Sequence, residues 1–196
     1  LNKELDSIIQ KNNQITRLPF YSGMNLIGKP THFQNAFAEK MIDIEKNINV
    51  REVFPNIEIN NSIRSSLNNL GLDLNKEFIA LHVRESGYWN RKGNKTHSTK
   101  NANIETYLPA IKYLIDQGLQ VVRLGDMTMK KIPRINGLID YALSKYKSDN
   151  LDIFFLKSCK FLISTCSGPF QVAGIFNTPM LATNWIPIHI LPYSNN

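Results

Sequence analysis

Phe78-Ile79-Ala80-Leu81-His82-Val83-Arg84 decides the fold. It is a nearly unbroken apolar run of strand length, ending in the charged pair Arg84-Glu85. A strand that is apolar on both faces is buried on both, as central strands of parallel sheets are. Downstream of it, helix and strand patterns alternate. Ile104–Gln117 predicts a helix with Tyr107, Leu108, Ile111, Leu114 and Ile115 on one side and Gly118 at its end. Leu119–Leu124 predicts a second strand, closed by Gly125-Asp126. A loop with Lys and Pro leads to a short helix or strand near Leu138–Leu143, and Asn150 is expected to cap a helix over about 151–158. Phe161–Thr165 is a third strand. Ser167-Gly168-Pro169 opens a helix over about 169–176, and Asn177-Thr178-Pro179 turns into a strand at Met180–Thr183. Strands alternating with helices predict β-α-β units: an α/β, Rossmann-like, doubly wound parallel sheet over residues 77–196.

Upstream the pattern is helical but irregular. Phe33, Phe37, Met41, Ile44 and Ile48 outline an amphipathic helix over about 33–48, after the breaks at Pro19, Gly23, Gly28 and Pro30. Ile59-Asn60-Asn61-Ser62 offers N-caps to a helix carrying Ile63, Leu67 and Leu70, which Gly71 ends. Residues 1–76 therefore read as a mostly helical N-terminal extension to the domain at 77–196.

Composition excludes several classes. With 42% hydrophobic and 20% charged residues in 196, the chain is not disordered, collagenous or coiled-coil. Its apolar runs fall far short of the ~20 residues of a membrane span. Two cysteines, Cys159 and Cys166, make no disulfide framework and fit no common zinc or redox spacing. They suit reduced thiols in a cytoplasmic protein. The net charge of +7 is compatible with nucleic acid, an anionic membrane or a phosphorylated ligand. Enrichment in Asn, Ile and Lys resembles the drift of an AT-rich genome, so the positions of the arginines matter more than the total. The chain starts at Leu1 without a signal-peptide pattern and reads as a piece of a longer protein.

In open α/β sheets ligands bind beyond the carboxyl ends of the strands, which directs attention to Arg84-Glu85, Gly125-Asp126, Thr165–Gly168 and Thr183–Trp185. His82 and Arg84, two apart on a strand, share a face, and Ile79, Leu81 and Val83 take the other. Burying a His and an Arg costs free energy unless each finds a partner. An anionic ligand would satisfy both. So would an internal ion pair from Arg84 to Asp126 or Asp152, with His82 a hydrogen-bonded core residue. Thr165-Cys166-Ser167-Gly168-Pro169 joins a strand to a helix start, where hydroxyls and backbone N–H groups can hold an anion. Ordinary N-capping by Ser167 is the plainer use. Arg123 reaches either a phosphate or Asp126. The segment Glu85–Asn103 carries Gly87, Tyr88, Trp89, Arg91, Lys92, Gly93, Lys95, His97 and Lys100, and is expected to act as a lid that orders over an anionic ligand. No Gly-x-Gly-x-x-Gly follows the first strand, no Walker A or His-Glu-x-x-His sequence occurs, and the histidines are scattered, so neither a bound dinucleotide nor a metal is expected.

Phe78-Ile-Ala-Leu-His-Val-Arg-Glu-Ser-Gly-Tyr resembles the His-x-Arg strand of metal-independent GT-B glycosyltransferases of the fucosyltransferase kind. Asn101-Ala-Asn-Ile-Glu-Thr-Tyr-Leu-Pro-Ala-Ile, Val122-Arg-Leu-Gly-Asp-Met-Thr-Met-Lys, Ile139-Asp-Tyr-Ala, Lys147-Ser-Asp-Asn-Leu-Asp-Ile-Phe and Ser164-Thr-Cys-Ser-Gly-Pro are similar to a narrower group. That group is the bacterial glycosyltransferases of surface-polysaccharide clusters. The resemblance covers about 77–188 and implies the C-terminal, donor-binding half of a GT-B fold. It implies a nucleotide-diphosphate sugar as donor, a glycan or lipid-linked acceptor, and no cofactor or metal. Arg84 would meet the donor pyrophosphate, and Ser167 and Gly168 would sit at the phosphate-binding helix start. Arg123, Gly125, Asp126, Thr165 and Asn184 would complete the nucleotide-sugar site, with loop contacts from Lys100 and Asn101. Arg84, Glu85 and His82 are the candidate catalytic residues. In the fucosyltransferase pattern an Asp follows the arginine after two residues, and here that position is Gly87. Residues 1–76 are too short and strand-poor for the acceptor half, so the chain reads as a truncated, donor-binding portion. The resemblance further implies a cytoplasmic site of action, with peripheral association at the inner membrane face left open. A non-catalytic α/β nucleotide-binding or assembly module is the first alternative. Nucleic-acid binding through the basic loop ranks third, because the arginines cluster at strand ends rather than along one face.

Overall fold

The computed structural model describes residues 59–87 and 100–185. The helix expected at 33–48 and most of the expected lid lie outside the described residues. The sheet and its helices belong to one compact unit whose boundary falls at Ile57.

Helix α1 (Asn61–Leu70) starts where Asn60 Oδ1 accepts from Ile63 N–H at 2.8 Å. It stops at Gly71, whose φ of +80° lets Leu72 N–H reach back to Leu67 O at 3.1 Å. Its buried residues, Ile63 and Leu67, belong to the same core cluster as Phe78, Phe154 and Phe155, so α1 joins the core of the sheet although its sequence groups with the extension.

Strand β1 (Phe78–His82) is buried along its whole length. Its side chains alternate between two cores. Phe78 and Ala80 meet Val122, Leu151, Phe155 and Leu162; Ile79, Leu81 and Val83 meet Ile104, Ile111, Val121 and Ile163. After β1 comes a 3-10 turn (Ile104–Tyr107) and then α2 (Leu108–Asp116). The sequence predicts one helix here. Pro109 supplies no N–H to bond back, so the first turn takes the tighter form. Asn103 Oδ1 caps it from 3.1 Å by accepting Glu105 N–H.

Strands β2 (Gln120–Leu124) and β3 (Leu138–Ile139), a 3-10 turn (Tyr141–Leu143) and α3 (Asp149–Ser158) come next. The cap of α3 is Ser148, whose Oγ accepts Leu151 N–H at 3.3 Å; Asn150, expected in that role, sits inside the first turn. Strand β4 (Leu162–Ser164), α4 (Gly168–Ile175) and β5 (Met180–Ala182) complete the described unit.

All pairs are parallel and the strand order is β3-β2-β1-β4-β5. This is the Rossmann-like, doubly wound arrangement expected from the alternation. The chain runs outward from β1 through β2 to β3, then crosses back to place β4 on the other side of β1. Right-handed crossovers put α2 on one face and α3 and α4 on the other, as the two cores show. The direction of winding reverses between β1 and β4, where His82 is in register with Ser164.

Candidate functional site

The reversal between β1 and β4 leaves their carboxyl ends side by side with helices departing to opposite faces, the place where open α/β sheets bind ligands. Backbone bonds tie the two ends together first. Thr165 N–H donates to His82 O at 3.1 Å, and Arg84 N–H donates to Thr165 Oγ1 at 2.9 Å. Thr165 is therefore a fully buried stitch between strands rather than a ligand contact.

His82 is 7% exposed, and its Nδ1 lies 3.0 Å from Ser167 Oγ. Burial, reinforced by the positive charges of Lys147, Arg84 and Arg123 and opposed by Asp126, lowers its pKa to about 4. The imidazole is neutral at pH 7. Arg84 is partly buried, with Nε and Nη2 withdrawn from solvent. Desolvation lowers its pKa, and the neighbouring Cys166 sulfur opposes the shift. Ser167 is the N-cap of α4 by position, yet its side chain caps no N–H. It bonds to His82 and, at 3.1 Å, to Ser164 Oγ. Gly168 is exposed, and nothing lies within 4 Å of where its Cβ would be. The first turn of α4, with Pro169 in it and no side-chain cap over it, thus presents backbone donors at these strand ends.

Other expected site residues have different work. Arg123, expected to meet a phosphate or Asp126, pairs with Asp140 and Glu85. Its side chain is wholly buried, Nη1 lies 3.1 and 3.2 Å from the Asp140 carboxylate oxygens, and Nη2 lies 3.5 Å from Glu85 Oε2. Glu85 Oε2 also accepts Lys130 N–H at 2.6 Å, so a carboxylate expected as a base is held inside an ion-pair network. Burial pushes the Asp140 carboxyl up, against the Arg123 charge. Asp126 Oδ1 accepts from Thr128 N–H at 2.6 Å and from the Thr128 hydroxyl, which shapes the turn after β2. Gly125, at φ +154°, lies where a Cβ would strike the Met129 side chain. At Gly87 a Cβ would come within 2.6 Å of Thr128 O, so this turn fills the space an aspartate would need. The alternative partner of Arg84, Asp152, is bound by Lys147 Nζ at 2.7 Å.

Asn101 and Asn184 are brought together elsewhere. Asn184 Nδ2 donates to Asn101 O at 2.9 Å, and the Tyr107 hydroxyl meets Thr183 Oγ1 at 2.9 Å. Both pairs border a cleft of about 480 Å³ between the start of α2 and the ends of β4 and β5. Among the described residues its lining carries no charged side chain. Thr183 N–H donates to Ser164 O at 2.9 Å, so this cleft and the Ser164–Ser167 turn share one end of β4. Lys100 is not among the residues lining it. Sequence reasoning misses Tyr107 and Ser164 as site residues, because one reads as helix core and the other as strand interior. Among the described residues, no group of three or more His, Cys, Asp or Glu is placed to hold a metal ion, and no helix is long and apolar enough to cross a membrane.

No protein-family model matches the chain, and no curated protein matches it. Among solved structures it is similar to the ADP-heptose LPS heptosyltransferase II of E. coli, at 18% identity and a TM-score of 0.47. The similarity covers 64% of this chain and 38% of that one, so the chain spans well under half of that structure's length.

Proposed function

We propose that residues 57–196 form the donor-binding portion of a glycosyltransferase that moves a sugar from a nucleoside diphosphate to a surface-glycan acceptor. One observation carries this reading: Arg84 and the uncapped start of α4 at Ser167-Gly168 flank the reversal between β1 and β4. A diphosphate there would face a guanidinium and the positive end of a helix dipole. The charge-free cleft beside β4 supplies hydroxyl and amide groups suited to an uncharged ring. The His-x-Arg and Ser-Gly-Pro resemblances point the same way. As the bond to the anomeric carbon breaks, the diphosphate gains charge, and Arg84 with the α4 backbone would stabilise it in place. Glu85 is held by Arg123 and His82 is buried against Ser167, so this proposal assigns the acceptor's proton to neither. The metal-independent course, the cytoplasmic setting and the lipid-linked or glycan acceptor belong to this same proposal.

A thermal-shift panel of GDP, UDP, CMP and dTDP sugars on the full chain tests it. A ligand that binds only the native state raises apparent stability, by about 2.7 kcal/mol at a hundredfold excess over Kd. A rise with one nucleotide family supports the reading. No rise with any member contradicts it and leaves a non-catalytic α/β module.

A further inference from the structure

Three side chains at the ends of β1 and β4 form a hydrogen-bonded chain whose direction can be worked out. Ser164 Oγ donates to Thr165 O at 2.9 Å, since a carbonyl only accepts. A serine hydroxyl has one hydrogen, so Ser164 Oγ must accept in its 3.1 Å contact with Ser167 Oγ. Ser167 therefore gives its own hydrogen to Ser164. Its 3.0 Å contact with His82 Nδ1 then needs a hydrogen from the imidazole.

We propose that His82 is held as the Nδ1–H tautomer and, by donating to Ser167 Oγ, lets the Ser167 hydroxyl turn its hydrogen from Ser164 Oγ to an anionic ligand at the start of α4. The consequence for binding rests on the donor-site reading above; the direction of the chain does not. In the other tautomer, Ser167 would spend its hydrogen on a bare Nδ1 and turn lone pairs toward the incoming phosphate. With Nδ1–H, the Ser167 hydrogen moves from Ser164 Oγ to a phosphate oxygen while His82 keeps donating. Serial donation polarises the hydroxyl and strengthens the outer bond. The Ser167 oxygen, which caps no N–H of α4, thus has His82 as its donor. His82 is thus a positioning residue acting through Ser167. Its neutrality at pH 7 leaves Nε2 without a hydrogen, which makes the two ring nitrogens distinguishable.

The test uses the full chain labelled with nitrogen-15. Imidazole proton–nitrogen correlations at pH 7 are assigned to His82, among the four histidines, by their loss in His82→Asn. The expected pattern has hydrogen on Nδ1 and none on Nε2. Hydrogen on Nε2 overturns the proposal, whatever the ligand affinity. Calorimetry with inorganic pyrophosphate then reads the effect on binding. His82→Asn, whose amide N–H replaces Nδ1–H, should bind within about threefold of the parent chain, while His82→Leu and Ser167→Ala should each weaken binding about tenfold. Parent-like binding by a folded His82→Leu chain overturns the positioning role. A parent chain with Nδ1–H that binds no pyrophosphate sinks the donor reading and the ligand-directed half of the proposal, while the direction of the hydrogen bonds stands.

Discussion

Arg123 Nη1 lies 3.1 Å from Asp140 Oδ2, with the Arg123 side chain wholly out of solvent. With Glu85 as the second partner, this contact ties together the carboxyl ends of β1, β2 and β3. Arg123→Leu would strand two partly buried carboxylates. The expected loss is about 3 kcal/mol, at the lower end for a broken buried pair because both acids keep some contact with water. Urea unfolding of the variant checks this, and a loss under about 1 kcal/mol would show that the network is solvated.

His82 makes stability depend on pH with a definite sign. Its pKa is about 4 when folded, against an ordinary value of 6.5, because burial disfavours the charged ring. Between those values the unfolded chain binds more protons, so stability falls as pH drops from 6.5 toward 4. The loss should be on the order of 3 kcal/mol for this group. Denaturant melts at pH 7 and pH 4.5 should differ more for the parent chain than for His82→Asn. Equal differences would mean that the ring titrates normally.

Gly87 sits against Thr128, where a Cβ would be 2.6 Å from both Thr128 Cβ and Thr128 O. Gly87→Ala must therefore push the turn that follows β2. Forced packing of this kind costs about 1–3 kcal/mol. A lowered melting temperature is expected, and an unchanged one would show that the turn yields freely.

Ser148, not Asn150, caps α3. Ser148→Ala should cost about 1 kcal/mol, and Asn150→Ala well under half of that. Paired urea melts read the contrast directly, and the reverse ranking would move the helix start.

The features legible in the sequence are those set by neighbours along the chain. β1 shows itself as Phe78–Val83 because both faces are covered, and Gly71 and Gly118 mark helix ends because their φ values of +80° and +82° suit glycine. The cap of α3 is not legible, since Ser148, Asp149 and Asn150 are all good caps and the tertiary contacts of Ser148, whose N–H donates to the Tyr141 hydroxyl and whose carbonyl accepts from it, are not written in the local pattern. Site residues are legible by position but not by partner. The strand-end rule points to Arg84, Ser167 and Gly168, which lie at the reversal between β1 and β4, and equally to Arg123 and Glu85. Those two pair with each other, and Arg123 also pairs with Asp140, which lies 17 residues away and is brought beside it by the two-residue strand β3. Such pairings depend on which strands become neighbours, which local patterns do not encode. The Ser167–His82 contact spans 85 residues for the same reason.

The proposed function centres on binding of a nucleotide sugar's diphosphate by Arg84 at the carboxyl ends of β1 and β4. Isothermal titration of the full chain with GDP, UDP, CDP and ADP, repeated on Arg84→Ala, tests this most directly. Saturable binding of one nucleotide is expected, weakened at least about tenfold in Arg84→Ala, since hydrogen bonds to charged groups contribute about 1.5–3 kcal/mol. Binding of none of them, or equal affinity in a folded Arg84→Ala chain, would contradict it.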